Sequence, residues 1–224
     1  STAMVRASAA SSSARDFRDD TAAASSVKDA AAASSRKSRA LLDAALARTI
    51  AVLAHDLRNS LGVVAMQVEA ISVRADAVVP DLPAIRGHAN VASDHIESLA
   101  DMTNALISFA RGSTSSDLAM IVAEAAAIVP LRPVSVSKPP LAAVGLGPLV
   151  TRAVALEVLI LALTTPYAPV FAISSGPSGS LLDVHAGQPL VPDAAVEWVV
   201  QFESLGGLIT PTEDGIRLQF PPLA

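Results

Sequence analysis

From Leu42 onward, apolar or small residues recur at spacings of three and four: Leu42, Leu46, Thr49, Leu53, Leu57, Leu61, Val64, Val68 and Ile71. That period places them on one stripe and predicts a long amphipathic helix. Prolines at 80 and 83 then break the pattern, because proline lacks the helical N–H and restrains the residue before it. The same spacing returns in Ile85, Ala89, Ala92, Ile96, Leu99, Met102, Leu106 and Phe109. Gly112 and the Gly-Ser-Thr-Ser-Ser run it opens predict the end of this second helix. Two long helices joined by a short turn predict an antiparallel helical hairpin. One hairpin leaves an apolar seam uncovered, so two copies are expected to pair into a four-helix bundle. The alternative is that the rest of the chain covers the seam.

Beyond Gly112 the texture changes. Asp117–Val129 predicts a short helix, 134–137 and 170–175 alternate like strands, and 145–165 reads as a buried helix with a turn before it. Residues 181–187 predict a strand, and 193–207 a helix ending at paired glycines with Trp198 and Phe202 in its core. Residues 208–212 and 216–220 predict a terminal hairpin. Helices mixed with strands in this way predict an α+β sandwich, so the whole chain is expected to be α+β. Three regions follow: an Ala/Ser-rich tail and helix extension (1–40), the hairpin (41–112) and the α/β domain (113–224). The first holds 13 alanines and 10 serines. It is expected to be unstructured to about Arg15 and helical from the twenties.

Composition narrows the chemistry. The absence of cysteine excludes disulfides, thiolate metal sites and cysteine nucleophiles. No apolar run reaches the roughly 18–20 residues of a membrane span, and no secretory signal is seen, so a cytoplasmic protein is expected. The residues before Met4 read as an expression remnant. A net charge of −5 argues against nucleic acid as the partner. All of that excess lies in 113–224, with nine acidic and four basic side chains. A domain of that sign disfavours a nucleotide triphosphate.

The stretch Leu-Ala-His-Asp-Leu-Arg-Asn-Ser-Leu-Gly, 53–62, is the exception to the helical seam. His55 lies two residues from both Leu53 and Leu57, some 200° around a helix from each, and so projects away from the stripe. An exposed neutral imidazole carries a free ring lone pair and can act as a nucleophile. Asp56 can orient it or take its proton. Asn59, Gly62 and Met66 continue the same face. Gly62 removes bulk there, and Met66 offers an adaptable apolar side chain to a partner. The plainer reading is a solvated surface histidine.

His55–Leu61 resembles the H-box of bacterial sensor histidine kinases, His-Asp/Glu-Leu-Arg-Asn/Thr-Pro-Leu, at six of seven positions. Ser60 replaces the family's proline, which should straighten the helix without touching the nucleophile. The resemblance extends in element order over roughly residues 40–224. It implies that His55 is the phosphoacceptor, that Asp56 assists it and that Asn59 helps dephosphorylate a partner. Arg58, Gly62 and Met66 would then lie on the docking surface.

The kinase pattern fails in the α/β domain. Where the family has Gly-Asp-Pro, this chain has Gly145-Leu146-Gly147-Pro148, and Glu157–Thr164 contains no metal-binding asparagine. Asp-x-Gly-x-Gly becomes His185-Ala186-Gly187-Gln188-Pro189, and little room is left for a lid. A phosphate cradle needs backbone N–H groups presented by such loops. A helical dimer with an H-box and a degenerate ATPase-like domain resembles the dimeric histidine phosphotransferases of phosphorelays. That resemblance implies transfer between receiver-domain aspartates, without ATP. The expected partners are response-regulator receiver domains and a hybrid histidine kinase. No intrinsic cofactor is expected, since the receiver would supply Mg²⁺, and His88, His95 and His185 do not form a metal-ligand set by spacing. A response-regulator phosphatase, a divergent sensor kinase and a non-catalytic dimeric scaffold are the alternatives.

Overall fold

The computed structural model describes residues 2–112, 115, 117–130, 134–137 and 142–223, with backbone alone over 2–27. The helices are α1 (Thr2–Ala75), α2 (Leu82–Arg111), α3 (Leu118–Ala126), α4 (Pro148–Leu163) and α5 (Glu197–Ser204). The strands are β1 (Ser135–Val136), β2 (Val170–Gly176), β3 (Gly179–His185), β4 (Leu208–Thr212) and β5 (Gly215–Phe220). The chain is thus mixed α+β, with a helical N-terminal part and a five-stranded mixed sheet. The run expected to close the second helix lies partly outside the described residues.

Residues 1–40 and 41–224 form two units. The first is helical over its described residues, where an unstructured tail to about Arg15 was expected. Alanine, the strongest helix former, is common enough here to outweigh the serines.

In the second unit, α1 buries Leu41, Leu42, Ala45, Leu46, Thr49, Leu53 and Ser60. Thr49 satisfies its hydroxyl by donating to the Ala45 carbonyl at 2.8 Å. The turn after α1 is closed by Asp81, whose carboxylate accepts from Ala84 N–H at 3.1 Å and caps α2. α2 ends at Gly112, whose φ of +75° favours glycine.

Gln67 Oε1 and His88 Nδ1 meet at 2.5 Å across the turn. Seven-residue steps from that contact return to nearly the same helix face. They place Ser60 level with His95, Leu53 with Met102 and Leu46 with Phe109. The last two layers are apolar and the first two polar. The Nδ1 of His95 is buried without a hydrogen-bond partner among the described residues.

Beyond Ser60 the seam is only partly covered within one chain. Leu61 and Val68 are 57% and 56% exposed, and Ile96 on α2 is 53% exposed. The core built on the sheet domain includes Leu46, Leu53, Met102 and Phe109, but it does not extend over these three side chains. One residue past the contact position turns a helix by about 100°. On two antiparallel helices those turns lead to the same side, so Leu61, Val68 and Ile96 share one apolar face.

The sheet order is β1-β2-β3-β5-β4, with β1 parallel to β2 and the remaining pairs antiparallel. Phe171, Ile173, Leu182, Val184, Ile216, Leu218 and Phe220 alternate onto its buried face. Phe202 meets Phe220 edge to face at 5.1 Å, and Trp198 is buried beside them in the core, as expected of both aromatic residues on α5. Helix α4 is buried on almost every side, including Arg152 and Glu157.

Candidate functional site

The His55 side chain is 74% exposed, while Leu53 is buried and Leu57 half-buried. Their angular separation on α1 causes this difference. Asn59, one turn on, puts its amide nitrogen 3.1 Å from His55 Nδ1. The Asp56 carboxylate lies 3.7 Å from the same nitrogen and is largely buried. With its nitrogen inward, the Asn59 amide donates to an unprotonated Nδ1; turned by 180°, its oxygen accepts from Nδ1–H. The Asp56 charge favours the second arrangement. Nε2 is the ring nitrogen that neither side chain engages.

Arg58, Asn59, Gly62 and Met66 are all exposed. A Cβ at Gly62 would meet nothing within 4 Å, so packing does not require glycine there. By the turn of the helix, His55, Asn59, Gly62 and Met66 lie away from the Leu61–Val68–Ile96 face. α1 continues unbroken through Ser60, which is buried.

The other histidines do not join His55. His88 pairs with Gln67, and the Nδ1 of His95 is buried. His185 holds the Asp214 carboxylate at 2.7 Å on the surface. That hydrogen bond is the main cause of the Asp214 carboxyl lying below its ordinary value. Among the described residues no group of three or more metal-ligating side chains occurs. No described helix is long and apolar enough to cross a membrane.

A cavity of about 220 Å³ adjoins α4. Ile160, Leu161, Val196 and Trp198 line it, together with Glu157 and Asp193. Its guanidinium, from Arg48, is bound to Glu157 Oε1 through Nε at 2.7 Å. The charged lining of the cavity is thus two carboxylates and a cation that is already paired. Gly187 has a φ of +70° with the Tyr167 ring packed against it, so a Cβ there would fall 2.6 Å from that ring. Sequence reading missed the Arg48–Glu157 pair. Its one signal was a lone carboxylate in an otherwise apolar stretch of helix.

No protein-family model matches the chain, and no curated protein matches it by sequence. Solved structures similar to it include a bacterial phosphotransferase, at 13% identity over 79% of this chain and 94% of that one, with a TM-score of 0.42. The histidine kinase AdeS of Acinetobacter baumannii aligns at 12% identity over 75% of this chain and 97% of its own, TM-score 0.37. The blue-light activated histidine kinase EL346 of Erythrobacter litoralis aligns at 16% over 70% and 62%, TM-score 0.34.

Proposed function

We propose that this chain is a homodimeric histidine phosphotransferase that relays a phosphoryl group between receiver-domain aspartates through His55, without binding ATP. The observation that carries the reading is the group His55, Asp56 and Asn59, an H-box whose histidine side chain is 74% exposed, with both neighbours at Nδ1 and neither engaging Nε2. In the forward step the Nε2 lone pair attacks the phosphorus of a receiver's aspartyl phosphate. The N–P bond forms, the P–O bond breaks and the carboxylate leaves. The imidazole keeps its proton on Nδ1, where the Asp56 carboxylate stabilises the cation that results. A second receiver's carboxylate reverses these bonds, and the receiver would bring the Mg²⁺ that screens its own charges. Arg58, Gly62 and Met66 are the proposed docking surface.

The open face of Leu61, Val68 and Ile96 supports a second copy as its cover, leaving the His55 side free. The carboxylates at the α4 cavity support a domain without ATP affinity. The position of Asn59 also favours a second reading, a receiver phosphatase in which its amide orients a water.

A phosphorylated receiver domain incubated with the protein separates these readings. Acid-labile, base-stable label on the chain, lost in His55→Ala with the oligomer unchanged, is the expected result. Release of inorganic phosphate without label, lost in Asn59→Ala, would favour the phosphatase. Neither label nor phosphate would leave a scaffold. Micromolar ATP binding by calorimetry would overturn the ATP-free reading.

A further inference from the structure

Helix α4 carries two ionic side chains that reach out of the sheet domain in different directions. Arg152 is 1% exposed. Its Nε donates to the Phe109 carbonyl at 3.3 Å, in the last turn of α2, and its guanidinium carbon lies 4.3 Å from the centre of the Phe109 ring. Both terminal nitrogens donate to Glu124 Oε2 on α3, at 2.7 and 2.6 Å. One side chain thus joins α2, α3 and α4. Five residues on, Glu157 accepts from Arg48 on α1. Arg48 is one heptad before His55 and lies on the same side of α1, about 10 Å lower along the helix.

We infer that α4 locks the sheet domain to both long helices, a cation held against α2 and a carboxylate against α1, so that the domain is a fixed buttress and cannot swing toward His55. The two contacts sit on different helices and have opposite sign. A rotation that relieves one therefore strains the other. A buried arginine that loses its partners also leaves an uncompensated charge, which makes opening costly. Burial is the largest influence on the Arg152 guanidinium and lowers its pKa, with Glu124 opposing that shift. A kinase would need its nucleotide-bearing domain to travel to the histidine; these clamps forbid that travel. The inference stands whether or not His55 accepts a phosphoryl group.

The absence of cysteine allows a direct test. Gly62→Cys on α1 and Gly176→Cys at the end of β2 add side chains where nothing lies within 4 Å. Spin labels on the pair, in full-length chains diluted with unlabelled protein, report the distance between helix and sheet. One narrow distance is expected, with that single distance lost in Glu157→Ala and in the double variant with Arg152→Met. A broad distribution in the parent overturns the inference. So does a distribution that stays narrow in folded Glu157→Ala and double-variant chains. If Arg152→Met prevents folding, Glu157→Ala alone decides, because it leaves Arg48 half in solvent and removes only the α1 clamp.

Discussion

At the scale of single residues, the candidate site was legible because it is local. The exposure of His55 follows from its angle to Leu53 and Leu57, and the Asn59 contact from a spacing of one helical turn. The His185–Asp214 pair was not legible. Its partners stand 29 positions apart, and strand register places His185 opposite Gly215, beside Asp214. That pair makes a pH-dependent prediction. The hydrogen bond from His185 holds the Asp214 carboxyl below its usual value of 3.8. The folded value lies under the unfolded one, so the pair stabilises the fold above that pH, and the contribution is lost as pH falls through the folded value. Both side chains are about half exposed, so the gain is small. Carboxyl-carbon NMR should find Asp214 titrating below 3.8, and His185→Ala should move its midpoint upward. An unmoved midpoint would assign the shift to another neighbour.

Among the elements, hydrophobic period located both long helices, the buried α4 and the strands, since each depends on local pattern and turn residues. It could not say which half of the α1 stripe the chain itself covers. Leu61 and Val68 repeat as regularly as Leu46 and Leu53, yet only the latter pair packs against the core. Nor could it reveal that Arg152 and Glu157 point from α4 to separate helices, because Arg48 lies 109 residues from Glu157. The heptad layers explain one further consequence. His95 places a buried, unpartnered nitrogen level with Ser60, where Leu would bring only carbon. An unsatisfied buried polar group costs about 1–3 kcal/mol. His95→Leu should therefore raise the thermal midpoint by several degrees, measured by circular dichroism. Leu53→Ala, one layer lower, should reduce stability by about 2–5 kcal/mol, as large-to-small changes in a packed core do. A fall in the midpoint of His95→Leu would show that Nδ1 is satisfied in solution.

For the whole molecule, the apolar face and the His55 face lie on different sides of α1, so the proposed pairing and the proposed phosphotransfer would not compete for the same surface. This separation yields a prediction about stability that does not depend on chemistry at His55. If a second copy covers Leu61, Val68 and Ile96, folding and association are linked, and the thermal midpoint must rise with protein concentration. A chain that covers the face in any other way has a midpoint independent of concentration. Val68→Glu with Ile96→Glu places two carboxylates on that face. Both positions are already more than half exposed within one chain, so the variant should retain the α4 core and the sheet. In a dimer the same carboxylates would be buried without partners, and association should be lost. The expected pattern is a midpoint that climbs over a hundredfold dilution series in the parent, and a lower, concentration-independent midpoint in the variant. Light scattering should report half the parent mass for the variant. A parent midpoint that stays constant across that series, with a monomer mass, would remove the second copy from the proposed function while leaving His55 and its neighbours in place.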